Sequence, residues 1–321
     1  MKPEYLTVRV AAKTAEADDI CTFELIHPEN RPLPAFDPGS HIDVRIRDGL
    51  VRQYSLANDS AETHRYLIGV LREPASRGGS ASMHDAIQTG DLLDISTPKN
   101  HFQLVLEARR SLLFAGGIGI TPILCMAEHL SSTAADFEMH YCARSRSRTA
   151  FTKRIEGSPF ADRVHFHFDD EPAQQKLDLA GVIDRPAAGT HIYVCGPKGF
   201  MDYVLGSART AGWPESQLHY EFFSAAPQDS AADTSFQIKL SSSCKIVTIP
   251  ADKTVVKALA DAGIDIPTSC EQGVCGTCLT RVLEGKPDHR DAYLTPEEQE
   301  KNDQFLPCCS RALSAELVLD L

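Results

Sequence analysis

Five of the ten cysteines lie between residues 270 and 309. Cys270, Cys275 and Cys278 have the spacing C-x4-C-x2-C, and Cys308 follows as a distant fourth cysteine. This spacing is typical of plant-type [2Fe-2S] sites, in which four cysteine thiolates bind the two irons. We therefore predict that these four cysteines are the ligands of such a cluster.

Two alternatives concern the same stretch. A structural zinc site would need paired C-x2-C hooks, and this stretch contains one such pair. Cys309 competes with Cys308 for the fourth position and is otherwise a packed neighbour. Gly273 and Gly276 favour the cluster, because a loop that wraps sulfur needs unusual backbone angles and close N–H groups.

Two further loops have residue types suited to phosphate. Gly116-Gly-Ile-Gly-Ile-Thr-Pro122 follows a predicted buried strand and opens a helix, where glycines let the backbone approach a pyrophosphate. Cys195-Gly-Pro197 ends the last buried strand and is expected at the same carboxyl edge of the sheet, where ligands bind in open α/β folds. The alternative is that both loops are ordinary strand-to-helix turns.

A third candidate site precedes these loops. Arg52-Gln-Tyr54-Ser55 is followed by Arg77-Gly-Gly-Ser80. Arginine binds phosphate, an aromatic ring stacks on a planar ring system, and a Gly-Gly-Ser turn supplies donors. Together they suggest flavin mononucleotide (FMN). Taken singly, residues of these types are more often a surface arginine, a half-buried strand tyrosine and a plain turn, so this site depends on the other two.

The elements that must position these residues fall into three segments. From Leu6 to about Leu106, short strands with period-2 alternation predict an antiparallel β-barrel, and we place this domain at 1–107. From Arg110 to about Phe223, continuous apolar runs between helical stretches predict a parallel α/β sheet, in a domain at 108–226.

The chain beyond this sheet predicts a linker and a separate module. Small and polar residues predict a linker at 227–234. The module at 235–321 begins with two predicted strands, continues into a helix around 255–262 and then reaches the cysteines.

Composition excludes several classes of function. The net charge is −12 and there is no Lys/Arg-rich run, which weighs against a nucleic-acid partner. No apolar run is long enough to span a membrane and the start lacks the features of a signal peptide, so we expect a cytoplasmic protein. We also expect a monomer. We expect the scattered cysteines to be small buried hydrophobic residues: Cys21, Cys125, Cys142, Cys195 and Cys244.

Taken together, the motifs resemble those of the phthalate dioxygenase reductase family, the NADH–FMN–[2Fe-2S] reductases of aromatic-ring oxygenases. The resemblance covers almost the whole chain. Besides the motifs above, it rests on Asp288-His-Arg-Asp291 and on the closing segment from Ser310 to Leu321. The implied fold is a flavin-binding β-barrel, an α/β nucleotide domain and a β-grasp ferredoxin domain.

The resemblance also implies roles for individual residues. Ser55 would donate a hydrogen bond near flavin N5, and Phe223 would cover the isoalloxazine unless it is only a hydrophobic end of the domain core. Thr121 would lie close to the flavin. The other implied FMN-binding residues are Arg52, Tyr54, Gly78, Gly79 and Ser80, and the implied nicotinamide-binding residues are Gly117, Gly119, Cys195, Gly196 and Pro197.

The implied activity passes electrons from NADH through FMN and the cluster to a separate Rieske-type oxygenase, which docks transiently and electrostatically. Two alternatives are a stand-alone flavin or quinone reductase and a ferredoxin-like binding module with a degenerate reductase half; the intact glycine loops argue against the latter. Arg144, Arg146 and Arg148 could bind a 2′-phosphate or form a solvated loop. We predict NADH.

Overall fold

The computed structural model describes residues 5–47, 50–74, 78–223 and 233–321, without the side chains of Arg47 and Ala173. Arg77 and most of the predicted linker at 227–234 lie outside these ranges. Contacts divide the chain into two units, the first ending at Glu221 and the second beginning at Phe222.

The first sheet of unit 1 is antiparallel and closes on itself. Its strands run in the order β4-β3-β6-β1-β2-β5, with β7 paired to β3, and a bridge between Leu56 and Ile68 brings the β4 end against β5. Alternate residues such as Ile42 and Val44 fill the interior, as period-2 patterning requires. The elements are β1 Tyr5–Ala17, β2 Ile20–Ile26, β3 Ser40–Arg47, β4 Leu50–Ser55, β5 Tyr66–Leu71, α1 Gly79–Asp85, β6 Leu92–Ser96 and β7 Lys99–Asn100.

The second sheet of unit 1 has five parallel strands in the order β10-β9-β8-β11-β12. Its central strand β8 is buried from Ser111 to Gly116, which explains the continuous apolar run in the sequence. The elements are β8 Arg110–Gly116, α2 Ile120–Ser132, β9 Phe137–Ala143, α3 Thr152–Glu156, β10 Val164–Phe168, α4 Leu179–Val182, β11 Thr190–Cys195, α5 Lys198–Thr210 and β12 Leu218–Glu221.

Unit 2 is a mixed sheet in the order β14-β13-β19-β15-β17, in which β13 and β19 are parallel. Thr254 caps the helix that packs on β14 by accepting a hydrogen bond from the backbone N–H of Lys257. The elements are β13 Phe236–Leu240, β14 Ile246–Ile249, α6 Val255–Asp261, β15 Thr280–Glu284, β16 Pro287–Asp288, α7 Pro296–Lys301, β17 Gln304–Phe305, β18 Arg311–Ala312 and β19 Glu316–Leu319.

The predicted fold class is confirmed by these three sheets. The barrel strands end at Asn100 and the parallel strands begin at Arg110, while the exact division at 107/108 stays a prediction. The expectation that the scattered cysteines are buried holds for Cys125 and Cys195, while Cys21 and Cys142 are only partly buried. It was wrong for Cys244, which is exposed because it lies in the turn between β13 and β14 with a φ of 55°. In the parts of the chain that the structure describes, no helix has the length and apolar character needed to cross a bilayer.

Candidate flavin, nucleotide and iron-sulfur sites

The four predicted cluster cysteines are all buried, with exposures of 2 to 7%. They form two pairs in side-chain contact, Cys270 with Cys275 and Cys278 with Cys308. A [2Fe-2S] cluster needs two thiolates on each iron, so this pairing matches the demand of the cluster.

Backbone N–H groups of the 270–275 loop point toward sulfur. The N–H of Gln272 donates to Cys270 Sγ at 3.3 Å, and the N–H of Gly273 donates to Cys308 Sγ. Such bonds stabilise thiolate charge and are among the contacts that tune iron-sulfur centres. Gly273 has a φ of +73°, and a Cβ there would lie 2.5 Å from Cys309 Sγ. The residues therefore fit the cluster, with Cys309 packed behind the loop.

The two glycine loops of the parallel sheet meet at its carboxyl edge. β8 and β11 are neighbours, with Ala115 opposite Cys195, so both loops leave the sheet side by side. A Cβ on Gly119 would lie 2.2 Å from the carbonyl oxygen of Cys195, and one on Gly196 would lie 2.9 Å from Gly116 Cα. Only glycine permits this approach, so the sequence motif has a structural reason.

Pro197 and Thr121 lie beside this loop contact. Pro197 precedes α5, and its Cδ is 3.0 Å from a Cβ placed on Gly116. Thr121 is buried in the first turn of α2, where its Oγ1 donates to the carbonyl of Ile118 at 3.1 Å. Its methyl group is 2.9 Å from a Cβ placed on Gly69 of β5, so α2 begins directly against the barrel. Gly117, with a φ of +53°, has open space around it.

The predicted phosphate end of the flavin site is formed by β4 and the start of α1. A Cβ on Gly79 would lie 2.6 Å from Arg52 Nε, so the arginine side chain crosses the bare backbone there. Gly78 has a φ of +96°, a left-handed conformation that favours glycine. Ser80 Oγ accepts a hydrogen bond from the N–H of Glu73 at 3.1 Å. This cradle consists of the Arg52 side chain and the Gly78–Gly79 backbone, where a side chain at Gly79 would collide with the arginine, and it fits a phosphate group.

Tyr54 and Ser55 lie at the opposite end of β4. Tyr54 packs at the border of the barrel core, and burial raises the pKa of its hydroxyl. Ser55 is 5% exposed, and its Oγ donates to Glu221 Oε2 at 3.4 Å. Residues Arg52, Tyr54 and Ser55 thus lie along one strand, from the phosphate cradle to the edge of the parallel sheet.

Glu221 is a site residue that the sequence motifs did not predict. This carboxyl group ends β12, which pairs with β11 so that Glu221 lies opposite Cys195. Its side chain is 16% exposed, and burial raises its pKa to about 8 against a smaller opposing effect of Ser55. A neutral carboxyl group therefore lies between the barrel motif and the nucleotide loop at pH 7.

His41 is a second residue that the sequence analysis missed. Its Nδ1 is 3.9 Å from Glu221 Oε1, and burial lowers its pKa to about 4. Its Nε2 contacts the amide of Gln53 at 3.2 Å, and that amide donates to Asp43 Oδ1 at 2.9 Å. The strand alternation gives no signal for His41, since its position depends on the register between β3 and β4.

The predicted site residue Phe223 belongs to unit 2 and is 37% exposed. Its place as the aromatic cover of the flavin stays a prediction.

Comparisons with known proteins agree with this architecture. Residues 238–313 match the 2Fe-2S iron-sulfur cluster binding domain, and residues 96–218 match the N-terminal domain of dimethylamine monooxygenase subunit DmmA-like proteins. The solved structure of phthalate dioxygenase reductase, described as modular for electron transfer from pyridine nucleotides to [2Fe-2S], superposes with a TM-score of 0.81. It is 38% identical, and the match covers 99% of this chain and 98% of that one.

Barrel, nucleotide sheet and iron-sulfur module together define an electron-transfer oxidoreductase. The chain is 56% identical to vanillate O-demethylase oxidoreductase of Pseudomonas putida, over 97% of this chain and 98% of the relative. It is 44% identical to the phthalate 4,5-dioxygenase oxygenase reductase subunit of Pseudomonas putida, over 98% and 96%. The chain belongs to the phthalate dioxygenase reductase family, which confirms the prediction of FMN, a [2Fe-2S] cluster and NADH as its cofactors.

Proposed function

We propose that the protein is the reductase of a vanillate O-demethylase, with a Rieske-type oxygenase as its partner. The observation that supports this choice is the identity of 56% to the vanillate O-demethylase oxidoreductase against 44% to the phthalate 4,5-dioxygenase reductase subunit. An oxygenase partner follows from the family. Its aromatic substrate is the finer step of the proposal, because the reductase itself need not bind that substrate.

The residues of unit 1 would bind and align two cofactors. Arg52, Gly78, Gly79 and Ser80 would hold the FMN phosphate, and Tyr54 and Ser55 the ring. Bound FMN would supply the conversion between two-electron hydride chemistry and one-electron transfer. The task of the protein is then chiefly alignment, since hydride transfer needs the two rings in close and fixed proximity.

The carboxyl edge of the parallel sheet would align the nicotinamide. Gly117 and Gly119 would admit the pyrophosphate, while Cys195, Gly196 and Pro197 would hold the nicotinamide end beside Ser55. The neutral Glu221 next to Ser55 adds a proton-bearing group at this point. Ser55 is thus a candidate catalytic residue, together with Phe223 as the ring cover.

In unit 2, Cys270, Cys275, Cys278 and Cys308 would hold the cluster and pass single electrons to the oxygenase. One reductase must serve many turnovers, so the complex is expected to be transient and its interface small. We propose a monomer that acts in the cytoplasm.

Reconstitution with candidate oxygenases tests this proposal. The reductase is mixed with the vanillate oxygenase or with a phthalate dioxygenase, and NADH consumption that depends on the aromatic substrate is recorded. Stimulation by vanillate with the first partner alone is the expected result. Coupling to the phthalate enzyme instead would overturn the substrate assignment, and steady NADH turnover without any oxygenase would favour a stand-alone reductase.

A further inference from the structure

Asp233 opens the last described stretch of the chain, yet its side chain is only 7% exposed. Arg290 holds this carboxylate in a two-pronged contact, with Nη2 at 2.5 Å from Oδ1 and Nη1 at 3.1 Å from Oδ2. Arg311 Nε lies 3.6 Å from Oδ2. A buried carboxylate with two arginines differs from a surface ion pair, because losing one partner leaves a buried charge uncompensated.

Arg290 belongs to the segment Asp288–Asp291, to which the proposed electron transfer gives no role. Its Nε donates to Asp288 Oδ2 at 2.7 Å, and its backbone N–H donates to Ser310 Oγ at 3.1 Å. Ser310 stands two residues after the proposed ligand Cys308. The arginine that binds Asp233 is therefore attached to the segment that supplies the fourth thiolate.

Asp291 extends the same network to the cluster loop. Its Oδ1 accepts from Ser310 Oγ at 3.3 Å, and the next residue, Ala292, donates its N–H to the carbonyl of Gly273 at 3.0 Å. The N–H of Gly273 in turn donates to Cys308 Sγ. The segment thus contacts both the thiolate segment and the amide that is bonded to that sulfur.

We propose that Asp288–Asp291, with Asp233 as its buried counter-ion, is a positioning device that fixes Cys308 and the Gly273 amide and so sets the reduction potential of the cluster. The proposal rests on the assignment of Cys308 as a ligand. Hydrogen bonds to sulfur and local charge are two of the factors that set iron-sulfur potentials. Asp233 is a positioning residue here, acting through Arg290 and Ser310.

The sign of the effect follows from charge. Replacing Asp233 by Asn removes a negative charge from beside Arg290 and Arg311, and the cluster gains negative charge on reduction. We therefore expect Asp233→Asn to raise the midpoint potential; about 59 mV corresponds to a tenfold change in a one-electron equilibrium. Asp233→Glu keeps the charge and should restore most of the wild-type value.

The test is a redox titration of the whole protein followed by electron paramagnetic resonance, with iron content measured on the same samples. Asp261→Asn is the matched control, because Asp261 is also paired with a basic residue, Lys253 at 2.7 Å, on the exposed surface of unit 2. A shifted signal and potential in Asp233→Asn, with neither changed in Asp261→Asn, is the expected result. No oxygenase is present, so failure of the proposed partner assignment cannot affect the outcome.

Two results would overturn the proposal. One is an equal potential shift in both variants, which would mean that only net charge matters. The other is a lower melting temperature of Asp233→Asn with wild-type potential and spectrum, which would make the network merely structural. If Asp233→Asn loses iron, Ser310→Ala tests the same connection without a charge change: a shifted signal supports the proposal, and a wild-type signal and potential reject it.

Discussion

Glu221 illustrates how a single residue acquires its properties from position alone. Glutamate at the end of a strand is ordinarily ionised at pH 7. Here the end of β12 places it opposite Cys195 and 3.4 Å from Ser55 Oγ, while its basic neighbour His41, 3.9 Å away, has a pKa lowered to about 4 by burial and does not offset the burial of the carboxyl group. The carboxyl group is consequently neutral where the barrel and the nucleotide sheet meet.

This raised pKa gives a pH-dependent stability. The pKa of Glu221 is about 8 in the folded protein and 4.5 ordinarily. Its protonated carboxyl group therefore contributes fully to the stability of the fold below pH 4.5, and this contribution is lost as pH rises toward 8. In Glu221→Gln the loss should be absent, so its melting temperature should fall less than that of the wild type between pH 5 and about 8. Thermal unfolding at several pH values in this range measures the fall in melting temperature. The control is Glu107→Gln, because Glu107 is exposed. Parallel curves for wild type and Glu221→Gln would contradict the assignment.

Arg52 permits a direct test of the flavin cradle. Arg52→Ala removes a charge-assisted contact to phosphate of about 1.5 to 3 kcal/mol, which lowers FMN affinity about tenfold or more. Flavin content after extensive dialysis, followed by fluorescence titration with FMN, measures the loss. Arg45→Ala removes an arginine from the neighbouring strand, where Arg45 lies over the ring of Tyr5, and should retain FMN. Equal retention in both variants would rule out the cradle.

Substitution of the neighbouring Cys308 and Cys309 distinguishes the cluster ligand from a packed residue. Cys308→Ser should lose iron and acid-labile sulfide while flavin reduction by NADH persists, because Cys308 pairs with Cys278. Cys309→Ser should keep both, since the Cys309 side chain contacts Cys308 and donates to the carbonyl of Leu306 at 3.7 Å but makes no contact with the other three predicted ligands among the contacts of the described residues. Iron analysis and visible absorbance show which variant loses the cluster. Loss in Cys309→Ser with retention in Cys308→Ser would make Cys309 the ligand.

At the scale of elements, sequence periodicity predicted the kinds of sheet but gave very little information about the register between strands. Alternation along β3 and the apolar run of β8 identified two kinds of sheet, and the cysteine and glycine spacings located the loops. The contact between Ser55 and Glu221 joins residues 166 positions apart and depends on how β4 and β12 end. The contact between Asp233 and Arg290 likewise joins residues 57 positions apart. Contacts between residues so far apart leave no local pattern in a single sequence.

The two nucleotide loops yield a prediction about elements. In Gly119→Ala the new methyl group would meet backbone atoms of Cys195 and Gly196 at 2.2 to 2.7 Å, so the loops after β8 and β11 must separate. Affinity for NADH should fall while FMN is retained, because Arg52 and Gly79 are untouched. Flavin reduction measured against NADH concentration tests this. Gly206→Ala in α5, where a Cβ meets nothing within 4 Å, is the control.

At the scale of the whole molecule, we expect charge to govern how the reductase finds its partner. The chain has a net charge of −12, and its residues 235–321 contain 13 acidic against 9 basic residues. The helix α7 begins with Pro296-Glu-Glu, and its glutamates follow Tyr293, whose exposed ring lies over Gly276 of the cluster loop. Acidic residues that closely follow an exposed aromatic residue in the sequence are suited to a partner with a basic patch.

We therefore predict that electron delivery to the oxygenase weakens as salt is added. Screening acts over a Debye length of about 10 Å at 0.1 M ionic strength, so exposed charges such as Glu297 lose their steering effect. Substrate-dependent NADH consumption should fall steadily with ionic strength, and Glu297→Gln should flatten that dependence. Reduction of the cluster by NADH without the oxygenase is the internal control and should respond far less. A coupled rate indifferent to salt would show that apolar contact, centred on groups such as Tyr293, governs docking instead.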